Sequence, residues 1–124
     1  MARFDLYRLS RAAAGSGRPG LLVVDVQSPH LEYLESRIVV PLRLRAEVKP
    51  VTELHRLVSI DGDVFALMTH ALASVRRRDL GHPMGSLAGH RDEIVRALDI
   101  LITGFSERLG FPAGASAIPS FFLS

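Results

Sequence analysis

Apolar residues follow two different periods along this chain. As far as Leu80 they come in short runs separated by Gly, Pro and Asp; from Ser86 to Phe105 they recur at spacings of three, four and seven. In that second stretch, SLAGHRDEIVRALDILITGF, residues Leu87, Ile94, Leu98, Leu101, Ile102 and Phe105 share one face of a 3.6-residue helix. His90, Arg91, Asp92, Glu93, Arg96 and Asp99 fill the other side. Asp92 and Glu93 lie early, where the positive end of the helix dipole favours carboxylates. Ser86, after the breakers of GHPMG (Gly81 to Gly85), is the expected N-cap. Ser106 to Leu109 extend the stripe through Leu109, with Gly110 and Pro112 as the stop.

The earlier runs read as strands and turns. Arg3 to Leu9 alternates, with Phe4 and Leu6 on one face and Tyr7 and Leu9 on the other. Ser10 to Gly20 is small and Gly-rich, a mobile hairpin loop. Leu21 to Val26 is a buried strand interrupted by Asp25, which is expected to face solvent or to accept backbone hydrogen bonds. Ser28 to Ser36 is a loop, because Pro29 disfavours helix at Ser28. Arg37 to Leu44 is a strand that Pro41 confines to an edge or a strand end. Arg45 to Pro50 is turn-like. His55 to Ile60 and Val64 to His70 make a hairpin around Asp61-Gly62-Asp63. Ala71 to Val75 continue its second strand, and Arg76 to Asp79 lead out. The expected fold is mainly β, with a single C-terminal α-helix covering one face of the sheet.

A length of 124 residues implies one domain. A net charge of +2, spread over both signs, carries no nucleic-acid signature. Absence of cysteine excludes a disulfide framework, a thiolate nucleophile and a Cys-type zinc site. MARFDLYRL lacks a long apolar core and so reads as no signal peptide. No run reaches the ~18 apolar residues of a membrane span, and a soluble, cytoplasmic domain is expected.

Candidate chemistry is sparse. His30, His55, His70, His82 and His90 lack metal-ligand spacing and read as scattered surface or loop residues. Ser10, Ser16 and Ser28 have no nucleophile-elbow context. Gly15-Ser16-Gly17 has neither the spacing nor the lysine of a phosphate loop. Arg76-Arg77-Arg78 reads as a solvated strand end, with phosphate or carboxylate binding as the alternative. With no tryptophan and no aromatic cluster among these arginines, base stacking does not follow. The residues thus point to no enzyme, no metal and no cofactor. Ala113 to Ser124, AGASAIPSFFLS, is uncharged. It packs on the body, lies against a partner, or forms a partly ordered terminus.

Several strings stand in a familiar order: VVDVQS (Val23 to Ser28), VVPL (Val39 to Leu42), MTHALASV (Met68 to Val75), HRDEI (His90 to Ile94) and ALDILITGF (Ala97 to Phe105). In these the chain resembles the CcdB family of bacterial toxins over Met1 to Phe105, apart from a longer loop at Ser10 to Gly20. The resemblance implies a CcdB-like toxin domain at 1–105 with a C-terminal extension at 106–124. It implies an SH3-like β-barrel of antiparallel strands, of the CcdB and MazF kind, carried as a homodimer. It also implies the toxin of a toxin–antitoxin module of the plasmid-maintenance type, one that binds the A subunit of DNA gyrase and traps it on cleaved DNA. A cognate CcdA-like antitoxin would neutralise it through a disordered tail that folds on binding. Such a toxin makes and breaks no bond, and needs no cofactor, no membrane and no direct nucleic-acid contact.

Family members grip gyrase with the end of the helix, which finishes in Trp-Gly-Ile. Thr103, Gly104 and Phe105 stand there in this chain, so that only the glycine is kept. Asp99 and Ile102 hold the other helical contact positions, and His30 and Leu31 match the apolar pair after DVQS. Two alternatives stand beside this one. The first is a non-toxic relative that only binds an antitoxin-like partner. The second is a MazF-like endoribonuclease drawing on Arg76 to Arg78 and the histidines.

Overall fold

A computed structural model describes residues 2–10, 21–49, 54–106 and 111–112. Most of the first loop, Pro50, residues 107–109 of the expected helix extension with its stop at Gly110, and the tail Ala113 to Ser124 lie outside the described residues. Seven strands form one antiparallel sheet: β1 (Asp5–Arg8), β2 (Leu22–Asp25), β3 (Ser36–Leu44), β4 (Leu57–Ile60), β5 (Asp63–Leu67), β6 (Ala73–Arg76) and β7 (Gly85–Ser86). Their order is β4-β5-β3-β2-β1-β7, with β6 also on β3. The sheet curls into a half-barrel closed off by one helix, α1 (Arg91–Thr103), in agreement with the expected mainly β class.

Strand β3 is the spine, not an edge. Its residues Val39 to Pro41 pair with β2, Ser36 to Val39 pair with β6, and Leu42 to Leu44 pair with β5. Pro41 is tolerated because it falls in the gap between the β6 and β5 registers, so its missing N–H costs no ladder bond. Its carbonyl still accepts from Met68 N at 2.8 Å.

Alternation along β1 and β2 buries both faces. Phe4, Leu6, Leu22, Val24, Val40, Leu42 and Val58 meet Ile94 of the helix inside the half-barrel. Tyr7, Leu9, Val23 and Val39 face the other way and are covered by Leu80. The DG hairpin forms as expected. Asp61 (φ 52°) and Gly62 (φ 86°) both take positive φ, the signature of a two-residue turn matched to strand twist.

Three expectations need correction. The second hairpin strand does not run on through Val75. It leaves the sheet in a 3-10 turn, Thr69–Ala71, and β6 begins afresh at Ala73 on β3. Gly85–Ser86 is not the helix entrance but β7, paired with β1. Ser86 Oγ accepts from Ala88 N at 3.1 Å, at the first residue of the 3-10 turn Ala88–His90 that leads into α1. At the far end the helix stops at Thr103, where Gly104 takes the left-handed conformation (φ 68°). The backbone then turns into a two-residue strand β8 (Phe105–Ser106), paired with β9 (Phe111–Pro112). Among the described residues no helix is long and apolar enough to cross a membrane.

Candidate functional site

Helix α1 carries its apolar stripe into the half-barrel only along about its first two turns. Ile94 and Ala97 are buried, while Val95 and Leu98 pack at the margin of the core. Asp92 and Glu93 occupy the first turn, and Glu93 lies 3.8 Å from Arg56 and from His90 Nδ1, tying the helix base to β4. The stripe then parts from the body. Ile102, expected on the core face, is 73% exposed, the barest large aliphatic residue of the helix.

Around Ile102 the tip is made by its own last turn. Gly104 N–H donates to the Ile100 carbonyl at 3.0 Å, and the Thr103 hydroxyl donates to the Asp99 carbonyl at 2.6 Å. Asp99 is half-buried, Thr103 is exposed, and the Phe105 backbone runs off as β8. Five of the seven expected site residues therefore share the C-terminal end of the helix.

The other two, His30 and Leu31, lie in a 3-10 turn, Pro29–Leu31, after β2. Ser28 Oγ accepts from His30 N at 3.2 Å, so Pro29 starts a turn that its predecessor caps. Gln27 fastens that turn to the sheet: its Nε2 donates to the Leu31 carbonyl at 2.9 Å, and its Oε1 accepts from Ile38 N at 2.9 Å. Arg77 Nη2 holds the far side through the Glu32 carbonyl at 2.7 Å. None of these bonds joins the turn to the helix tip within the chain. Tyr33 stands 77% exposed beside Leu31, itself 41% exposed. Tyr33 was absent from the sequence expectation because no period or motif marks it.

Asp25 departs from its expected place. It is fully buried rather than turned to solvent, and it meets Arg37, itself 1% exposed. Arg37 donates through Nε (3.0 Å) and Nη2 to Asp25 Oδ2, while Asp25 Oδ1 accepts from Gln27 N at 3.0 Å. The backbone half of the expectation holds. The signal for the rest was a lone Arg at the start of the next apolar run. Tyr7 shares this face, and its phenol is raised above the ordinary tyrosine range, chiefly by burial and then by Asp5 and Asp25.

The arginine triplet is largely spent on structure. Arg76 pairs with Asp79 at 3.3 Å and Arg77 turns to the Glu32 carbonyl, leaving Arg78 at the surface. His55 is not a surface residue; it is buried, with Nε2 2.6 Å from His70 Nδ1. Burial, and secondarily His70, hold its pKa below the ordinary histidine value. No group of three or more potential metal ligands occurs among the described residues.

The sequence profile of the CcdB protein family matches residues 3–104. Among solved structures, an endoribonuclease in complex with its cognate antitoxin from a mycobacterial species is similar with a TM-score of 0.65 at 12% identity, over 82% of this chain and 93% of that one. The Mycobacterium tuberculosis toxin MazF-mt6 is similar with a TM-score of 0.62 at 13% identity, over 78% of this chain and 94% of that one. At such identities the likeness is one of fold. No curated protein sequence gives a significant match.

Proposed function

Because this chain belongs to the CcdB family of toxins from toxin–antitoxin modules, we propose that it binds the A subunit of DNA gyrase and poisons it, halting replication and growth. The observation that carries the reading is the tip of α1. An amphipathic helix that has already covered its core leaves Ile102 bare at its C-terminal end, flanked by Asp99, Thr103 and the Gly104 cap. In this reading Ile102, exposed on a helical turn fixed by its own hydrogen bonds, is the apolar centre of the docking surface. Leu31 and Tyr33, with the polar His30, stand exposed on and beside the clamped turn and supply the second part of the surface. A homodimer would let one copy's tip meet the other's turn, since no bond within the chain joins them.

In this reading the protein makes and breaks no bond, works in the cytoplasm, and is held in check by an antitoxin. Inducing the chain in a sensitive host, with normal gyrase or with an A subunit altered at the toxin site, tests it. Growth arrest with the normal allele and rescue by the altered one is expected. Arrest that ignores the allele removes the reading. If the protein is harmless, the non-toxic alternative is tested by Thr103→Trp with truncation after Phe105. That alternative expects the pair of changes to restore toxicity.

The endoribonuclease reading is supported by the fold likeness to an endoribonuclease and to MazF-mt6, and by the close His55–His70 pair, in which burial holds His55 below the ordinary histidine pKa. Against it, two of the three triplet arginines are engaged in ion-pair or backbone contacts. Discrete cleavage of total RNA by the purified chain would establish it.

A further inference from the structure

The half-barrel has an open seam. The sheet runs from β4 at one end to β7 at the other, and no strand pairing among the described residues joins them. The hydrogen-bond phase of β4 is set by its turn. Ile60 and Asp63 flank a two-residue loop, so they form a bonded pair, as do Val58 and Phe65; the Arg56 carbonyl accepts from Leu67 N at 2.9 Å. The N–H and C=O of Leu57 and Ser59 therefore point away from β5, and no described residue pairs with them. Edge strands are usually blunted by charge, proline or a bulge. Between Leu57 and Ile60 this edge is short, four residues, but carries no charge, proline or bulge, and Leu57 is 44% exposed.

At the turn end of the seam lies a cleft of about 190 Å³, floored by Leu6, Leu22, Ile60 and Phe65, with Met84 on its rim. A cavity of roughly 150 Å³ holds a benzene ring, so this one takes one large apolar side chain. Asp61 and Asp63 line it from the hairpin tip and Arg8 from the opposite strand. Both aspartates are exposed and make no ion pair with any described residue.

We infer that the β4 edge and this cleft together bind an extended segment of a separate polypeptide, which adds as a strand to β4, drops one large apolar side chain into the cleft and sets a basic residue against Asp61 and Asp63. Charge selects the occupant. The chain's own residues 113–124 offer Phe121 and Phe122 but contain no cation, so they leave the acidic tip unanswered. Main-chain bonds along an open edge supply affinity, and the pocket and charge supply selectivity. This surface is independent of the helix tip and of any gyrase contact.

The test is a heteronuclear NMR titration of the full chain with the peptide acetyl-Lys-Thr-Leu-Thr-Leu-Lys-amide and its counterpart with Glu for Lys. The Lys peptide should shift amides of Leu57, Ser59, Ile60 and Leu6, and the Glu peptide should not. Asp61→Asn with Asp63→Asn keeps the turn, because Asn accepts positive φ, and should weaken binding about fivefold or more. Ser59→Pro removes an outward N–H without breaking the bonds to β5 and should abolish the β4 shifts. Failure of the Lys peptide to bind, shifts confined to α1, or an unchanged affinity in the aspartate pair each overturn the inference. Lys-peptide binding that appears only after truncation behind Phe105 would give the seam to the chain's own tail. β4 shifts that follow protein concentration alone would give it to a second copy. Either result also overturns the inference.

Discussion

The Pro29–Leu31 turn and the tip of α1 present the two parts of the proposed gyrase surface, and they are held in opposite ways. Beneath the turn lie Asp25, Arg37 and Gln27, none more than 4% exposed, joined in one hydrogen-bonded set. The tip stands on its own last helical turn and a glycine cap, with Ile102 in the open. A buried charge tolerates no missing partner, so changing one member of the first set damages the fold. The tip can change residue by residue at little cost to the fold. The DVQS motif thus positions a turn that the fold depends on, whereas the fold asks little of the residue at Thr103.

The contrast can be broken most severely at Arg37. Arg37→Leu leaves Asp25 charged and alone in the core and should cost about 3–5 kcal/mol, read from the urea midpoint. Adding Asp25→Leu should recover much of that loss. A cost below about 1 kcal/mol would mean that the pair is not buried in solution. Gln27→Leu strips two bonds from the turn and should cost about 1–3 kcal/mol. Amide exchange should rise at Ile38, while that of Ile94 to Leu98 rises no more than the global loss of stability requires. Gly104→Ala forces a side chain into the left-handed region and should cost about 1 kcal/mol, fraying α1 only at its tip.

The base of the helix gives a gentler, pH-dependent effect. The His55 pKa is lowered in the fold, so below about 6.5 the unfolded chain binds more protons than the native one. Stability is full above that pH and falls as the pH drops toward the native value. His55→Gln should flatten this slope, seen as a urea midpoint that no longer declines between neutral and mildly acid pH.

Much of this was legible in the pattern of the chain. The DG hairpin, the helix and the alternation of β1 each follow from local chemistry: turn residues, a 3.6 period and a 2.0 period. Pro41 misled because its acceptability depends on which neighbour lies beside each residue of β3, a fact of topology that no local window contains. Asp25 misled in part for the same reason, since its partner Arg37 lies on another strand. Ser86 looked like a cap for α1 because its hydroxyl does accept a backbone N–H, that of Ala88 in the 3-10 turn before the helix. At the site, the stripe that marked the helix also placed Ile102 on it. Whether that position meets the core depends on where the half-barrel ends, and there the helix outruns it.

Calorimetric titration of the gyrase A subunit with the chain and with Ile102→Ser tests the central claim most directly. The wild-type chain should bind, and the variant should lose binding while its stability stays within about 0.5 kcal/mol of the original. Equal binding by both proteins, or none by either, would contradict a docking surface centred on the tip of α1.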